Sequence, residues 1–260
     1  SSNQRKQNFK SKIQIKNINP LVDLAKVDLS IAENSHLNIW YSTNDTSLYV
    51  DGYSDKLKFG NKVLNNFSFN MIIDSNRIDE KDNMLRSSLE MLVNVNSKSL
   101  SFSDSSTMDS ILIELKIQND QIKYHSHWGN RNQTDFAGDV KGVLSFNSIV
   151  EKLKTENSID KPSFKWMQIS FAESKIILAD SVWVISDESI IDIDTNYIGV
   201  NDFQIYSGLK KLLINGYSTP NKSNGINVSL VGFDLSFFNR FNKKRKIQWE
   251  GMLEAEFVVA

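Results

Sequence analysis

Apolar and polar residues alternate along most of this chain, with a period of two rather than 3.6. Residues 66–74, NFSFNMIID, place Phe67, Phe69, Met71 and Ile73 on one face. Residues 84–95, MLRSSLEMLVNV, place Leu85, Leu89, Met91, Val93 and Val95 together. In ILIELKIQ (111–118), Ile111, Ile113, Leu115 and Ile117 share a face opposite Leu112, Glu114, Lys116 and Gln118. IKYHSHW then sets Ile122, Tyr124 and Trp128 against Lys123, His125 and His127. The pattern runs on through FAGDVKGVLSF, SFKWMQISF, SKIILADSVWVI, SIIDIDT, NDFQIYS, LLINGYS, INVSLVGF and IQWEGMLEAEFVV. Successive side chains of a strand point to opposite faces, so this spacing predicts about fourteen strands, many of them long.

Helix signals are few. NPLVDLAKV (19–27) offers Asn19 as a cap with Pro20 behind it, SIVEKLKTEN (148–157) follows Ser148, and LSFFNRF (235–241) has room for one turn. Connectors rich in Asn, Asp and Ser, such as TNDT, DSNRIDEKDN, SDSST, GNRNQT and TPNKSNG, separate the strands. With 3 prolines and 11 glycines in 260 residues, these residues must make most of the turns. No Gly/Ser or Pro-rich linker divides the chain, so residues 1–260 read as one continuous antiparallel all-β segment. So many long strands close into a barrel, split into a sandwich, or curl as one sheet. Composition does not choose among these.

One phrase is written twice: LYVDGYSD at 48–55 and LLINGYST at 212–219. Neither copy stands beside catalytic residue types. Gly52 and Gly216 are therefore expected to let a sheet bend at an equivalent rung.

Charge narrows the partners. Lys+Arg number 30 and Asp+Glu 31, for a formal net charge of −1, which argues against a nucleic-acid footprint. Cysteine is absent, so disulfides and thiolate metal sites are excluded. No apolar run approaches the ~20 residues of a membrane-spanning helix. The opening SSNQRKQNFKSK lacks an apolar core of signal-peptide length, and the chain reads as a segment of a longer protein or a processed mature region.

Candidate chemistry is sparse. His125 and His127 flank Ser126 on one strand face, but His36 is distant in sequence and no supporting carboxylate is adjacent, so a solvated face outweighs a metal site. Asp192 and Asp194 in IDIDT read as neighbours on an outer face rather than a glycosidase pair. NKKRK (242–246) reads as a solvated turn, and Gly138 and Gly142 in FAGDVKG as marks of bends or bulges. No serine belongs to a recognisable nucleophile motif. The expectation is a protein without catalytic residues, cofactor or metal.

The order of phrases is more specific. VDLSIAENSHLNIWYSTND leads into SLYVDGYSDKLKFGNKVLNNFSFN, followed by IQNDQIKYHSHWGNRNQTDFAGDVKGVLSF. Then come ESKIILADSVWVISDESIIDI, NDFQIYSGLKKLLINGYST, INVSLVGFDLSFFNRF and WEGMLEAEF. Taken together, over roughly residues 20–258, they resemble the TamB/AsmA-like family, in particular the C-terminal half of its TamB-like members. That resemblance implies an elongated antiparallel sheet curled into an open, taco-like groove with an apolar interior. It also implies a periplasmic location for a protein anchored in the inner membrane. The implied function is phospholipid transport between inner and outer membranes and support of outer-membrane protein assembly, with a TamA-like barrel as partner.

On this reading the groove is lined by Phe67, Phe69, Met71, Ile73, Leu89, Met91, Val93, Ile111, Ile113, Leu115, Ile117, Ile122, Tyr124 and Ile214. An acyl chain removed from water there gains about 0.8 kcal/mol per methylene, so carriage needs no reaction. A competing reading is a β-sandwich module that recognises carbohydrate or protein through its loops. An outer-membrane barrel fits poorly, because the strands carry Lys and Glu. End-to-end self-association through open terminal strands is also expected. Small-angle scattering separates the first two. About fourteen strands spaced by about 4.8 Å extend about 65 Å and give a radius of gyration above about 20 Å. A compact domain of this length gives about 18 Å, and that value would favour the sandwich or barrel.

Overall fold

In a computed structural model, the protein is all-β and every strand pairing is antiparallel. The structure describes residues 8–16, 18, 22, 24, 26–43, 46–76, 88–103, 106–129, 136–148, 165–178, 181–219, 225–235 and 248–259. Two compact units divide it, Ser1–Asn130 and Arg131–Ala260. Unit 1 holds β1 (Asn8–Ile15), β2 (Leu29–Ile31), β3 (Ser35–Ser42), β4 (Ser47–Phe59), β5 (Lys62–Asn76), β6 (Ser88–Ser103), β7 (Ser106–Gln118) and β8 (Gln121–Trp128). Unit 2 holds β9 (Phe136–Ser148), β10 (Lys165–Phe171), β11 (Ser174–Leu178), β12 (Ser181–Ile185), β13 (Ile190–Asp194), β14 (Tyr197–Ser207), β15 (Lys210–Ser218), β16 (Ile226–Asp234) and β17 (Met252–Val259).

In unit 1 the pairing runs β1–β3–β4–β5–β6–β7–β8, with β2 beside β3 on the far half of β4. In unit 2, β9 pairs with both β10 and β11, β14 pairs with both β12 and β13, and β15, β16 and β17 follow in order. Tight two-residue turns make most of this possible. Gly60 and Gly208 take φ of 59° and 60°, and Asn119 takes 54°, the left-handed geometry that such hairpins require.

The strands exceed the sequence expectation for identifiable reasons. NFKSKIQI, which alternates weakly, forms β1 against β3. SKIILADSVWVI, read as one run, is the paired strands β11 and β12. The short segment 29–31 forms β2. Outside the strands, Val22 and Leu24 are helical, within the segment expected to form a helix. Of the expected helix at 19–27, a Val22 N–H to Ile18 carbonyl bond of 3.1 Å is present, while 19–21, 23 and 25 lie outside the described residues. Ser148, expected to cap the second helix, is the last residue of β9; 149–157, 236–241 and the basic run 242–246 lie outside the described residues.

A seam of interruptions crosses each sheet. In unit 1 it passes between β2 and β3, then through Asp55, Asn66, Lys98 and Ser110, where the ladder pairs are missing. Asn66 and Ser110 have φ of 49° and 53°, and such irregularities kink a strand and increase its twist. In unit 2 the seam separates β10 from β11 and β12 from β13, and reaches Asp202, whose φ is 47°. The break along β9 falls between Gly138 and Gly142, where bends were expected.

Buried serines satisfy the backbone groups that the seam frees. Ser35 Oγ donates to Ser54 Oγ (2.7 Å), which donates to the Lys56 carbonyl (2.8 Å). Ser97 Oγ lies 2.8 Å from the Asn65 carbonyl. Ser174 Oγ accepts the Lys141 N–H (2.9 Å) and donates to the Ala172 carbonyl (2.9 Å). Ser189 Oγ accepts the Gln204 N–H at 3.1 Å. A serine is short enough to sit against the backbone at a kink, and carries both a donor and acceptors.

The two copies of the repeated phrase lie in β4 and β15, and their glycines have different roles. A Cβ at Gly52 would collide with the Phe69 ring from the neighbouring strand, while the nearby interruption is at Asp55. Gly52 therefore seats an aromatic ring rather than bending the sheet. Gly216 has φ of 125° and approaches the Gly225 carbonyl, so there the backbone itself requires glycine.

Two measurements check these roles. Ser174→Ala leaves a buried N–H and carbonyl unpaired, so the urea midpoint should fall by the equivalent of about 1–3 kcal/mol at unchanged slope. Gly52→Val should destabilise strongly in the native background but far less beside Phe69→Ala. Additive losses would mean that the Gly52–Phe69 contact carries no energy.

Candidate functional site

Registration decides which side chains share a face. Across unit 1 one rung reads Ile13, Leu37, Gly52, Phe69, Val95, Ile113 and Ser126. The next reads Ser11, Ile39, Val50, Met71, Val93, Leu115 and Tyr124, and a third Phe9, Tyr41, Leu48, Ile73, Met91, Ile117 and Ile122. These rungs make one apolar face seven strands wide.

The opposite face is mixed: one rung is polar, and the next carries Trp40, Tyr49, Ile72 and Leu92 between Lys10 and Lys116. Lys12, Asn38, Asp51, Asn70, Asn94, Glu114 and His125 form a rung across the same strands. Asn38 donates to Asp51 at 2.8 Å, Asn94 donates to Asn70 at 2.9 Å, and His125 Nδ1 lies 2.9 Å from Glu114 Oε2. Lys116 meets Glu90 at 2.8 Å on this face. Water and side-chain partners satisfy it without a covering layer.

The apolar face is covered only in part. Ile111, 9% exposed, is the one buried hydrophobic residue of unit 1 among the described residues. Phe67, Phe69, Met71, Ile73, Met91, Val93, Ile113, Leu115, Ile117, Ile122 and Tyr124 are half-buried, and Leu89 is 57% exposed. In-plane neighbours on a single sheet shield a side chain from the flanks but not from above, which accounts for this intermediate burial. The thirteen unit 1 residues expected to line a groove therefore share one face by register.

Ile214 lies in unit 2, where a comparable face exists. Leu144, Ile169, Ile191, Val200, Gly216, Ile226 and Val259 form one rung, and Phe203, Ile214, Val228 and Phe257 another. Phe171 meets Phe203 edge-on with centroids 5.6 Å apart. Unit 2 also has a better-filled corner: Trp183, 3% exposed, stacks on Phe233, 7% exposed, at 5.4 Å. On the opposite face Asp192 accepts from Gln168 (3.0 Å) and Asn201 (3.1 Å), and Asp194 accepts the Thr195 N–H (2.6 Å).

Sequence reasoning missed part of the apolar face. Leu37, Ile39, Leu48 and Val50 alternate as regularly as the residues that were assigned, but their strands are interspersed with Trp40, Tyr49 and Tyr53. The side of the sheet to which such a mixed strand turns follows only from its partners. Among the described residues no group of three His, Asp, Glu or Cys side chains converges on a common point. No family model matches the chain, and neither curated proteins nor solved structures match it.

Tyr124 reports on the apolar face. Burial pushes its phenol above the ordinary tyrosine value of 10.0. A phenol that ionises later in the folded state keeps its proton while the unfolded one loses it, so stability falls as pH rises above that ordinary value. An ultraviolet phenolate titration should show late ionisation at Tyr124 and at Tyr53, whose phenol the Asp55 carboxylate holds protonated, and Tyr124→Phe should remove one of the two. An unaltered titration curve would place Tyr124 in water.

Proposed function

We propose that the chain is a lipid-carrying β-groove segment of the TamB/AsmA-like kind, in which sheets curved around their apolar faces shield phospholipid acyl chains while headgroups stay in water. The observation that carries this reading is the registered apolar face of unit 1. It spans seven strands, is apolar at nearly every position of three successive rungs, and is half-buried at its centre. A folded sandwich would bury such a face against a second sheet and bring its side chains to a dry core. Exposed apolar surface of this continuity marks a binding surface.

The mechanism is physical rather than chemical. Each methylene laid on the face gains about 0.8 kcal/mol from dehydration, and the gain is similar wherever it lies. A chain can therefore advance from one strand to the next without a deep trap, because from β4 to β7 the rungs that pass through Phe69, Met71 and Ile73 carry only apolar residues and Gly52. The seam of kinks supports curvature toward one face, since bulges add bend and twist in the strands that carry them. On this reading the protein works in the periplasm, carries phospholipid between the membranes, supports outer-membrane protein assembly with a TamA-like barrel, and performs no catalysis.

Site-specific photo-crosslinking tests the face. Probes at Phe69, Met91, Ile113 and Ile214 should capture phospholipid, whereas probes at Asn70, Glu90 and Glu114 on the opposite face should capture little. Ile113→Asp should stop lipid transfer in the protein that remains folded, because an unpaired carboxylate against an apolar chain costs several kcal/mol. Equal labelling of both faces, or transfer undiminished in the folded Ile113→Asp protein, would sink the assignment.

A further inference from the structure

The polar face of unit 1 carries a feature that lipid carriage does not use. Two successive rungs across β1, β3 and β4 read Lys10–Trp40–Tyr49 and Lys12–Asn38–Asp51. The Trp40 and Tyr49 rings lie 4.8 Å apart, tilted by 38°, and remain 36% and 37% exposed. Asn38 donates to one oxygen of Asp51 at 2.8 Å on the exposed face, which orients the pair. Both lysines are exposed. All six side chains line one hollow of about 610 Å³.

We propose that this hollow binds an acidic saccharide, an oligosaccharide bearing carboxylate groups. Sugar rings present C–H faces that stack on exposed aromatic rings, and their hydroxyls pair with amide and carboxylate groups fixed side by side. The two lysines, one strand over, supply the charge that a carboxylate on the sugar requires. Three strands spaced by about 4.8 Å spread these groups over about 10 Å, the scale of neighbouring sugar units rather than of a single small ion. Single-stranded nucleic acid also stacks on aromatic side chains, but it needs a sustained cationic track, and Asp51 stands in the middle of this one. Cross-strand aromatic pairs also stabilise hairpins, and lysines also protect edge strands from pairing. Neither role calls for the oriented Asn38–Asp51 pair beside them.

The site lies on the face opposite the proposed lipid groove, so the two readings fail independently. Isothermal titration of the 260-residue protein with trigalacturonate, and with cellotriose as a neutral counterpart, tests the proposal. Trigalacturonate should bind and cellotriose should bind more weakly. The double variant Lys10→Ala/Lys12→Ala should weaken trigalacturonate about tenfold at an unchanged thermal midpoint. Trp40→Leu should abolish binding of both sugars. Absence of trigalacturonate binding overturns the proposal, as does binding that survives Trp40→Leu, which would be diffuse charge attraction. Should Trp40→Leu unfold the protein, amide shift mapping of the unaltered chain decides instead. Shifts centred on residues 38–40 and 49–51 support the site, and shifts centred elsewhere overturn it.

Discussion

An antiparallel ladder passes side-chain alternation from one strand to the next without loss, because each residue faces the same way as the one paired with it. The rest of this structure depends on that constraint. Where the pairing is unbroken, Ile13 and Ile113 stand on the same face although four strands lie between them. A slip of one residue at any single ladder would turn the remainder of the sheet over and mix the two faces. The polar rung from Lys12 to His125 opposes such a slip. Its amide and carboxylate partners find each other only in one register, as the Asn38–Asp51 and Asn94–Asn70 bonds show.

The seam is the second constraint, and it works against the first. Every interruption threatens register and leaves backbone groups without partners, a cost of about 1–3 kcal/mol for each one buried. The buried serines reconcile the two requirements. Ser54 and Ser97 in unit 1, and Ser174 and Ser189 in unit 2, each bridge the gap and let alternation resume beyond it. In unit 1 Ile31, Leu57, Leu64, Leu100 and Met108 pair as a further apolar line on the far side of the interruptions.

Much of the apolar face was legible in the chain. NFSFNMIID, MLVNV and ILIELKIQ carry strict alternation over many residues, and their paired registers join the same residues that the pattern grouped. The shorter phrases were less informative. LNIWYS and LYVDGYS set aliphatic residues on one side and the large aromatic residues Trp40, Tyr49 and Tyr53 on the other, so Leu37 and Val50 could be assigned only through their pairing with Gly52 and Met71. Gly52 itself shows why composition misleads at a single position. A glycine within a strand signals a bend, a bulge or a close approach, and the Phe69 ring that makes it a close approach comes from another strand.

The sequence by itself determined the all-β class, the antiparallel pairing of neighbours, and the apolar and polar sides of each long strand. Those properties are local: alternation and turn residues act over a few positions, and hairpins join strands adjacent in the chain. Only the tertiary structure decided the lines along which the sheets are interrupted, the division of SKIILADSVWVI into two strands, and the assembly of Lys10, Trp40 and Asp51 into one hollow. Each of these depends on what lies across a ladder. A residue's partner there is set by register summed over many hydrogen bonds, which no short stretch of sequence contains.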